Sequence, residues 1–471
     1  MHISKNIPRH HAIYATQRRQ VSALYITGDK ARENYVTIQP YLDFKGTFEN
    51  MEQLQHSIKK RNLAIDLNKV QQMFENYTNK AKEIDKVEQE RELIAKQLKD
   101  MGKVKDNNNT ELMNQLKDKG KELRNKLKSL KTDFYPIEDE FCQAFLHLPN
   151  LLDRQCPEGE HERILYRSKL NDDQSATTQS HLQQSDQINF IDNSRYYLMK
   201  EAAKFDLYCT DALVKYFLQK EKFIQTCNPD FVRCVLLEAN ATPLDLYHKV
   251  EEQHLQNKLN SAYLTGGGAF ESFLGAVTKL CVYPSVIPLR YICSGRLYEK
   301  SCEAVEQSLY TATQTNAVQT FVACENAQQS EEHMDAILNR CVDFYKTFDN
   351  LHFRVVYAKA ADLMPSESLR AQIEVYSPHQ KRYICVGRLS NYSDYVSKRI
   401  LFTMREQKDY RFLHLIGGPI LYTTRLIAAL IECQQPLDYK KLMQNLKLKS
   451  AGGSATDSSN KMFEEFQSLF K

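Results

Sequence analysis

The sequence predicts an α+β protein in which a long antiparallel α-helical coiled-coil arm precedes an antiparallel β-sheet domain flanked by helices. Apolar residues recur at steps of mostly 3, 4 or 7 through Val70, Met73, Tyr77, Ile84, Val87, Ile94, Leu98 and Met101, the seam of a coiled coil. The spacing resumes after a polar break through Leu116, Leu123, Leu127, Leu130, Phe134, Ile137 and Phe141. Farther on, FVRCVLLEA, TFVACEN, FRVVYA, AQIEVYS and KRYICVGR are short runs rich in β-branched and aromatic residues, as strands are.

Composition bounds the answer. The chain has 471 residues with 15 Gly, 26 Tyr, 22 Phe and no Trp. Glycine, at about 3%, is under half its usual ~7%, which excludes collagen-like and Gly/Ser-linker classes. At 42% hydrophobic and 26% charged, the chain can bury cores in two to four domains. Its 12 cysteines run from Cys142 to Cys433 without a CxxC or Cys/His spacing, predicting free thiols in a reducing compartment and no metal site. No run approaches the ~18 apolar residues of a membrane span. P-loop, Rossmann, nucleophile-elbow and HExxH motifs are missing, so no cofactor is expected.

The elements follow in order. Residues 1–28 carry Lys5, Arg9, Arg18 and Arg19 and no acid. A basic, acid-free leader without a long apolar core fits a mitochondrial transit peptide, the alternative being a basic tail. That segment accounts for the whole net charge of +4. The arm spans 44–150, two helices of about 35 residues folded back on each other. Pro136 is expected to kink or end the second helix locally. From Lys99 to Lys131 there are ten basic residues against five acidic ones, either a phosphate-binding face or the solvated face of a coiled coil. Residues 151–189, with a Ser/Gln-rich stretch, are expected to be a linker or crossing segment. The mixed core spans 190–450, with a helix over 206–220 and a compact apolar helix over 425–432. Residues 451–471 are expected to be a flexible tail.

Several strings occur in this architecture: KRNLAIDLNKV entering the arm, HLPN and CPEGEHE leaving it, then IPLRY at 287–291, SNYSDYVSKR at 390–399 and RLIAALIECQQ at 425–435. From about Phe44 to Pro436 the chain resembles seryl-tRNA synthetases of the bacterial and mitochondrial type, as a degenerate paralogue. The resemblance implies a class II synthetase-like core and a tRNA-binding-like arm. Pro229 falls where the family's dimer-interface motif has its proline. The preceding segment supplies Phe205, Leu207, Leu213, Tyr216, Phe217 and Phe223, either for that interface or for the domain core.

The same resemblance implies that the chemistry is lost. In YLTGGGAFESF, Gly267 and Ala269 stand where the family has the serine-binding Thr and Glu, with Glu271 as a displaced candidate. Glu299 takes the place of the Arg that holds the α-phosphate, and Ala317 that of a second Arg. Cys385 replaces a metal-binding carboxylate; Gly417 and Pro419 fall at serine-recognising positions. Phe321, Glu325, Asn391 and Arg425 match the family and are expected as remnants of the ATP site, Arg425 alternatively being structural. Each lost phosphate or oxyanion contact costs roughly 3–4 kcal/mol of transition-state stabilisation, so no enzymatic activity, metal or cofactor is expected.

Two functions follow as expectations. One is association in the mitochondrion, in the matrix, with the active mitochondrial seryl-tRNA synthetase as a heterodimer or with itself as a homodimer. The other is binding of tRNA or another mitochondrial RNA through Lys117, Lys119, Lys121, Arg124, Lys126, Lys128 and Lys131. The alternatives are an active aminoacyl-tRNA synthetase with relocated ligands and an independent RNA-binding factor.

Overall fold

The computed structural model describes residues 22–26, 38–101, 110–169, 179–250, 261–300 and 306–448. Most of the 1–28 leader, the 451–471 tail and part of the Ser/Gln-rich stretch lie outside them. The chain divides into two compact units, one taking in 38–63 and everything from 149 onward, the other 25–37 and 64–148.

A short helix in the larger unit, α1 (Met51–Lys60), shows why the arm begins at residue 64 and not at 44. Leu54, Ser57 and Ile58 are buried. Arg61, fully buried, donates through Nη1 to the Met364 carbonyl at 2.8 Å and through Nη2 to the carbonyls of Asn150 and Glu367. A guanidinium can satisfy several carbonyls at once from one rigid fork, so residues 38–63 belong to the larger unit.

The arm consists of α2 (Leu67–Met101) and α3 (Thr110–Leu146), each about 50–55 Å long. Their seam is formed by Ile84, Val87, Ile94, Leu123 and Leu127, with Leu98, Leu116, Leu130 and Phe134 packed against it. Tyr77 meets Phe134 and Phe141, while Glu88 pairs with Lys131 at 2.7 Å, so the helices are antiparallel. Helix α3 continues through Pro136. The expected break does not end it, because Tyr77 packs on Phe134 and Phe141, one on each side of the proline.

The larger unit is built on eight strands: β1 (Arg163–Arg167), β2 (Ile224–Gln225), β3 (Leu289–Tyr298), β4 (Gln314–Cys324), β5 (Phe353–Tyr357), β6 (Leu369–Ser377), β7 (Arg382–Ser393) and β8 (His414–Tyr422), in the order β1-β5-β6-β7-β8-β4-β3-β2. All neighbours are antiparallel except β3 and β2. Side chains alternate between faces along a strand. Val318, Val322 and Cys324 enter the main core together with α4 (Lys200–Glu221), α6 (Ala327–Tyr345) and α7 (Thr423–Glu432). Ala317, Gln319 and Phe321 therefore point to the other face, where the synthetase-like site is expected.

Three expectations change. Residues 151–189 are not only a linker: β1 extends the sheet through its pairing with β5, and Tyr166 packs on Phe353 at 5.3 Å. FVRCVLLEA is only briefly a strand, Phe231–Arg233, and turns into a helix at Cys234–Ala239, where Leu, Glu and Ala favour the helix. Phe205, Leu213 and Phe217 are buried in the unit's own core, as is Phe223. Of the interface candidates on and after α4, Leu207 and Pro229 are exposed. Cysteines among the described residues are free thiols, and no described helix is long and apolar enough to cross a membrane.

A buried polar knot ties 179–184 to the end of α7. Glu432 accepts from His181 Nδ1 at 2.8 Å, from the Tyr310 hydroxyl at 2.9 Å and from Ser377. The Leu309 N–H points at His181 Nε2, which leaves Nδ1 to carry the hydrogen given to Glu432. Burial pushes the Glu432 carboxyl up, but the hydrogen bonds outweigh it and hold it below its ordinary value. Its contribution to stability is thus present above the unfolded carboxyl value and lost as pH falls through the folded one. Glu432→Gln is expected to cost about 1–3 kcal/mol near neutral pH, with the gap to wild type narrowing toward about pH 3 in thermal melts. A gap that stays constant with pH would remove the carboxylate as its cause.

Candidate functional site

The synthetase-like site is shaped by a loop lying flat on β3. Thr265 and Gly266 N–H groups donate to the Asp230 carbonyl at 2.9 Å, Gly267 N–H to Asp230 Oδ1 at 2.8 Å, and Gly268 N–H to the Arg296 carbonyl at 2.9 Å. Gly266 has φ +89°, and a Cβ there would lie 2.0 Å from the Arg296 carbonyl oxygen. The glycine run is thus what lets this backbone touch the strand. It places Ala269 and Phe270 over the sheet and starts α5 (Glu271–Val277).

Phe270 fills the space beside Gly417. A Cβ on Gly417 would lie 2.5 Å from the Phe270 ring, and the ring stacks on Tyr392 with centroids 4.4 Å apart. Phe321, fully buried, lies among Phe270, Phe273 and Tyr291 at 5.4–6.3 Å. Glu271 is also buried and accepts from Thr242 Oγ1 at 2.6 Å, Asn240 Nδ2 at 3.0 Å and the Tyr247 hydroxyl at 3.4 Å. Three protein groups thus hold it in place.

Glu299, just beyond β3, meets Arg388 of β7 at 2.6 Å. Burial disfavours the Arg388 charge, but Glu299 and neighbouring hydroxyls and carboxylates hold its pKa well above the ordinary value. Between these groups and Gln319, Met364, Glu367 and Pro419 remains a cavity of about 20 Å³, room for about one water.

The other predicted positions are scattered. Ala317 is fully buried in β4 opposite Gly295 and Tyr422. The Cys385 thiol, pushed up chiefly by burial, reaches the Gly387 carbonyl at 3.3 Å. Arg425 donates to the Cys385 carbonyl at 2.9 Å and lies over the Tyr422 ring, so it serves the packing of α7. Asn391 Oδ1 accepts from Ser393 N–H at 2.9 Å. Glu325 stands 3.8 Å from Arg411. Ala269 and Glu299 line the cavity, whereas Phe321, Glu325, Asn391 and Arg425 do not. Phe270, Arg388 and Tyr392, which close it, were missed. The one available signal was Glu299 itself, whose charge demanded a cation. Among the described residues no cluster of His, Cys, Asp or Glu could hold a metal ion.

On α3, Lys117, Lys121, Arg124, Lys128 and Lys131 follow one another at steps of four and three, a single stripe about 21 Å long. Lys121 pairs with Asp118, and Lys131 with Glu88. Lys117, Arg124 and Lys128 are exposed with no carboxylate partner among the described residues. Lys119 and Lys126 are exposed away from this stripe.

Residues 41–152 match the seryl-tRNA synthetase N-terminal domain family. The chain is 54% identical to the serine–tRNA synthetase-like protein Slimp of Drosophila melanogaster over 437 residues, covering 92% of this chain and 93% of that one. It is 24% identical to the mitochondrial serine–tRNA ligase of Mus musculus, covering 90% of this chain and 85% of that one. The fold is similar to that of seryl-tRNA synthetase from Pyrococcus horikoshii, solved with ATP, with a TM-score of 0.72 at 18% identity over 87% of this chain and 98% of that one.

The Glu299–Arg388 contact gives a measurable consequence. Glu299→Ala leaves a partly buried guanidinium unpaired and is expected to cost about 2 kcal/mol in denaturant unfolding. Adding Arg388→Leu should recover at least half of that loss. Equal destabilisation of the single and double variants would show that the ion pair is not its source.

Proposed function

This chain belongs to the seryl-tRNA synthetase family, and we propose that it is a catalytically inactive member that acts in mitochondria by association, as a partner of the active mitochondrial seryl-tRNA synthetase. The observation that carries the reading is the filled site. Adenylate formation needs cations around ATP and an open place for serine. Here the position expected to hold the α-phosphate cation carries Glu299, already joined to Arg388. Phe270 stands against Gly417, and the remaining cavity of about 20 Å³ is far below the roughly 300–1,000 Å³ of a small-molecule site.

Two observations support the mitochondrial setting: the basic, acid-free residues 1–28 and the likeness to a mitochondrial serine–tRNA ligase. Association is supported by large apolar side chains exposed between residues 191 and 231, namely Ile191, Tyr197, Leu207 and Phe231. Exposed large apolar groups of this kind suit an interface. Pairing with a second copy of this chain is the alternative use of these side chains. The basic stripe on α3 supports a further role in binding RNA, tRNA or another mitochondrial RNA, through its phosphates.

In ATP–pyrophosphate exchange with serine and with each other amino acid, the full chain is expected to give no signal above a protein-free control. Exchange within about a hundredfold of an active synthetase, the effect of a single lost contact, would overturn the inactive reading and favour relocated ligands. Native mass spectrometry of the chain co-expressed with mitochondrial seryl-tRNA synthetase is expected to show a heterodimer, and separate homodimers or monomers alone would refute the partnership. RNA affinity should fall by nearly one log unit per log unit of salt for each phosphate neutralised. Reversing Lys117, Arg124 and Lys128 to Glu should flatten that slope; an unchanged slope would dismiss the stripe.

A further inference from the structure

A second cavity, of about 360 Å³, is lined by Arg167, Ser168, His352, Tyr376 and Tyr383. These residues come from the end of β1 and the residue after it, the residue before β5, the end of β6 and the start of β7. Five residues of β7 separate Tyr383 from Arg388, which lines the filled synthetase-like pocket, about 17 Å of strand, and the two cavities share no lining residue. Its volume lies at the low end of the range for small-molecule sites, roughly 300–1,000 Å³.

The walls are mostly aromatic and held in place. Tyr376 and Tyr383 are cross-strand partners on β6 and β7, with rings edge to face at 5.4 Å. His352 Nδ1 lies 3.2 Å from Ser168 Oγ, and its Nε2 lies 2.6 Å from the Tyr383 hydroxyl. Ser168 Oγ also accepts the Phe353 N–H at 2.9 Å. Burial, with the Arg167 and Arg354 charges, lowers the His352 pKa, so the ring is neutral near pH 7 and adds no charge.

The charges select a ligand class. Arg354 covers the Tyr383 ring at 3.9 Å but is held by Glu374 at 2.7 Å and Glu162 at 2.8 Å. Its charge is satisfied within the protein. Arg167 is exposed and has no carboxylate partner among the described residues, and the Tyr376 hydroxyl likewise has no hydrogen-bond partner. The cavity thus combines aromatic surface for a flat ring, hydroxyls for polar ring edges or a sugar, and a single uncommitted cation for one anionic group. Base stacking on aromatic side chains with a cation on the phosphate is how proteins hold single nucleotide units.

We propose that this cavity binds one nucleoside monophosphate unit, its base against Tyr376 and Tyr383 and its phosphate on Arg167. The unit is either a free mononucleotide or one residue of a single-stranded RNA. The inference stands apart from the inactive-synthetase reading, because none of the cavity's residues lines the filled pocket.

The test is calorimetric titration of the full chain with AMP, GMP, CMP and UMP, with adenosine, with inorganic phosphate, and with a short single-stranded oligoribonucleotide. At least one monophosphate or the oligonucleotide is expected to bind saturably and more tightly than inorganic phosphate. Tyr376→Ala should weaken that binding about five- to hundredfold, the range set by stacking. Arg167→Ala, at an exposed position, should weaken binding of the phosphorylated ligand while leaving that of adenosine unchanged. Reversal of the α3 stripe should leave monophosphate binding intact. Binding by a monophosphate that competes with the oligonucleotide identifies a free-nucleotide site; binding by the oligonucleotide alone identifies an RNA-residue site. No binding by any of these ligands would overturn the proposal. So would binding indifferent to both substitutions, or inorganic phosphate binding as tightly as the nucleotides.

Discussion

A carboxylate at the end of a central strand must be neutralised, and the surroundings of the filled pocket follow from that requirement. Glu299 lies just beyond β3, and the cation that answers it is Arg388 on β7, directly across the intervening β4–β8 pair. An uncompensated charge there would be costly. Once the pair forms, it spans the place where a phosphate-binding cation is expected from the family resemblance. The anion and its partner form an internal contact at that place.

Aromatic filling completes what the ion pair begins. Phe270 can lie flat on the sheet only because residue 417 has no side chain, and it can reach that position only because the Gly266–Gly268 backbone lies directly on β3. The two glycine runs are therefore parts of one packing arrangement. Glycine leaves no vacancy here; a neighbouring ring takes the volume, as close-packed interiors require.

The two faces of the sheet are separately supported. Val318 and Val322 pack with α4, α6 and α7 in the main core, while Gln319 and Phe321 between and beside them face the other way. Alternation along a strand lets one face be refilled without changing the side chains that bury the opposite face. The far ends of β5, β6 and β7 present a second cavity, lined by aromatic rings and one uncommitted arginine. The arm is a separate unit whose seam depends on its own apolar residues, with its cations on other faces of the helix.

Much was legible from residue order alone. The seam through Ile84, Val87, Ile94, Leu123 and Leu127 specified the arm because helix periodicity is a local property. Runs such as FRVVYA and AQIEVYS marked strands for the same reason. Glu299, Ala317, Cys385 and Gly417 were singled out by the family resemblance, since each is a property of a single position. Other features depend on partners far apart in the chain. Arg61 fixes where the arm begins through carbonyls some 300 residues away. β1 becomes a strand only beside β5, and Phe205, Leu213 and Phe217 could equally have faced a partner until α4 was set against the sheet. Arg388, Phe270 and the knot at Glu432 carry no sequence signature. Composition and periodicity determined the kinds of element, and the family resemblance marked which single positions to compare. Tertiary packing decided what filled the site, because occupancy of a volume is settled by all the side chains that converge on it.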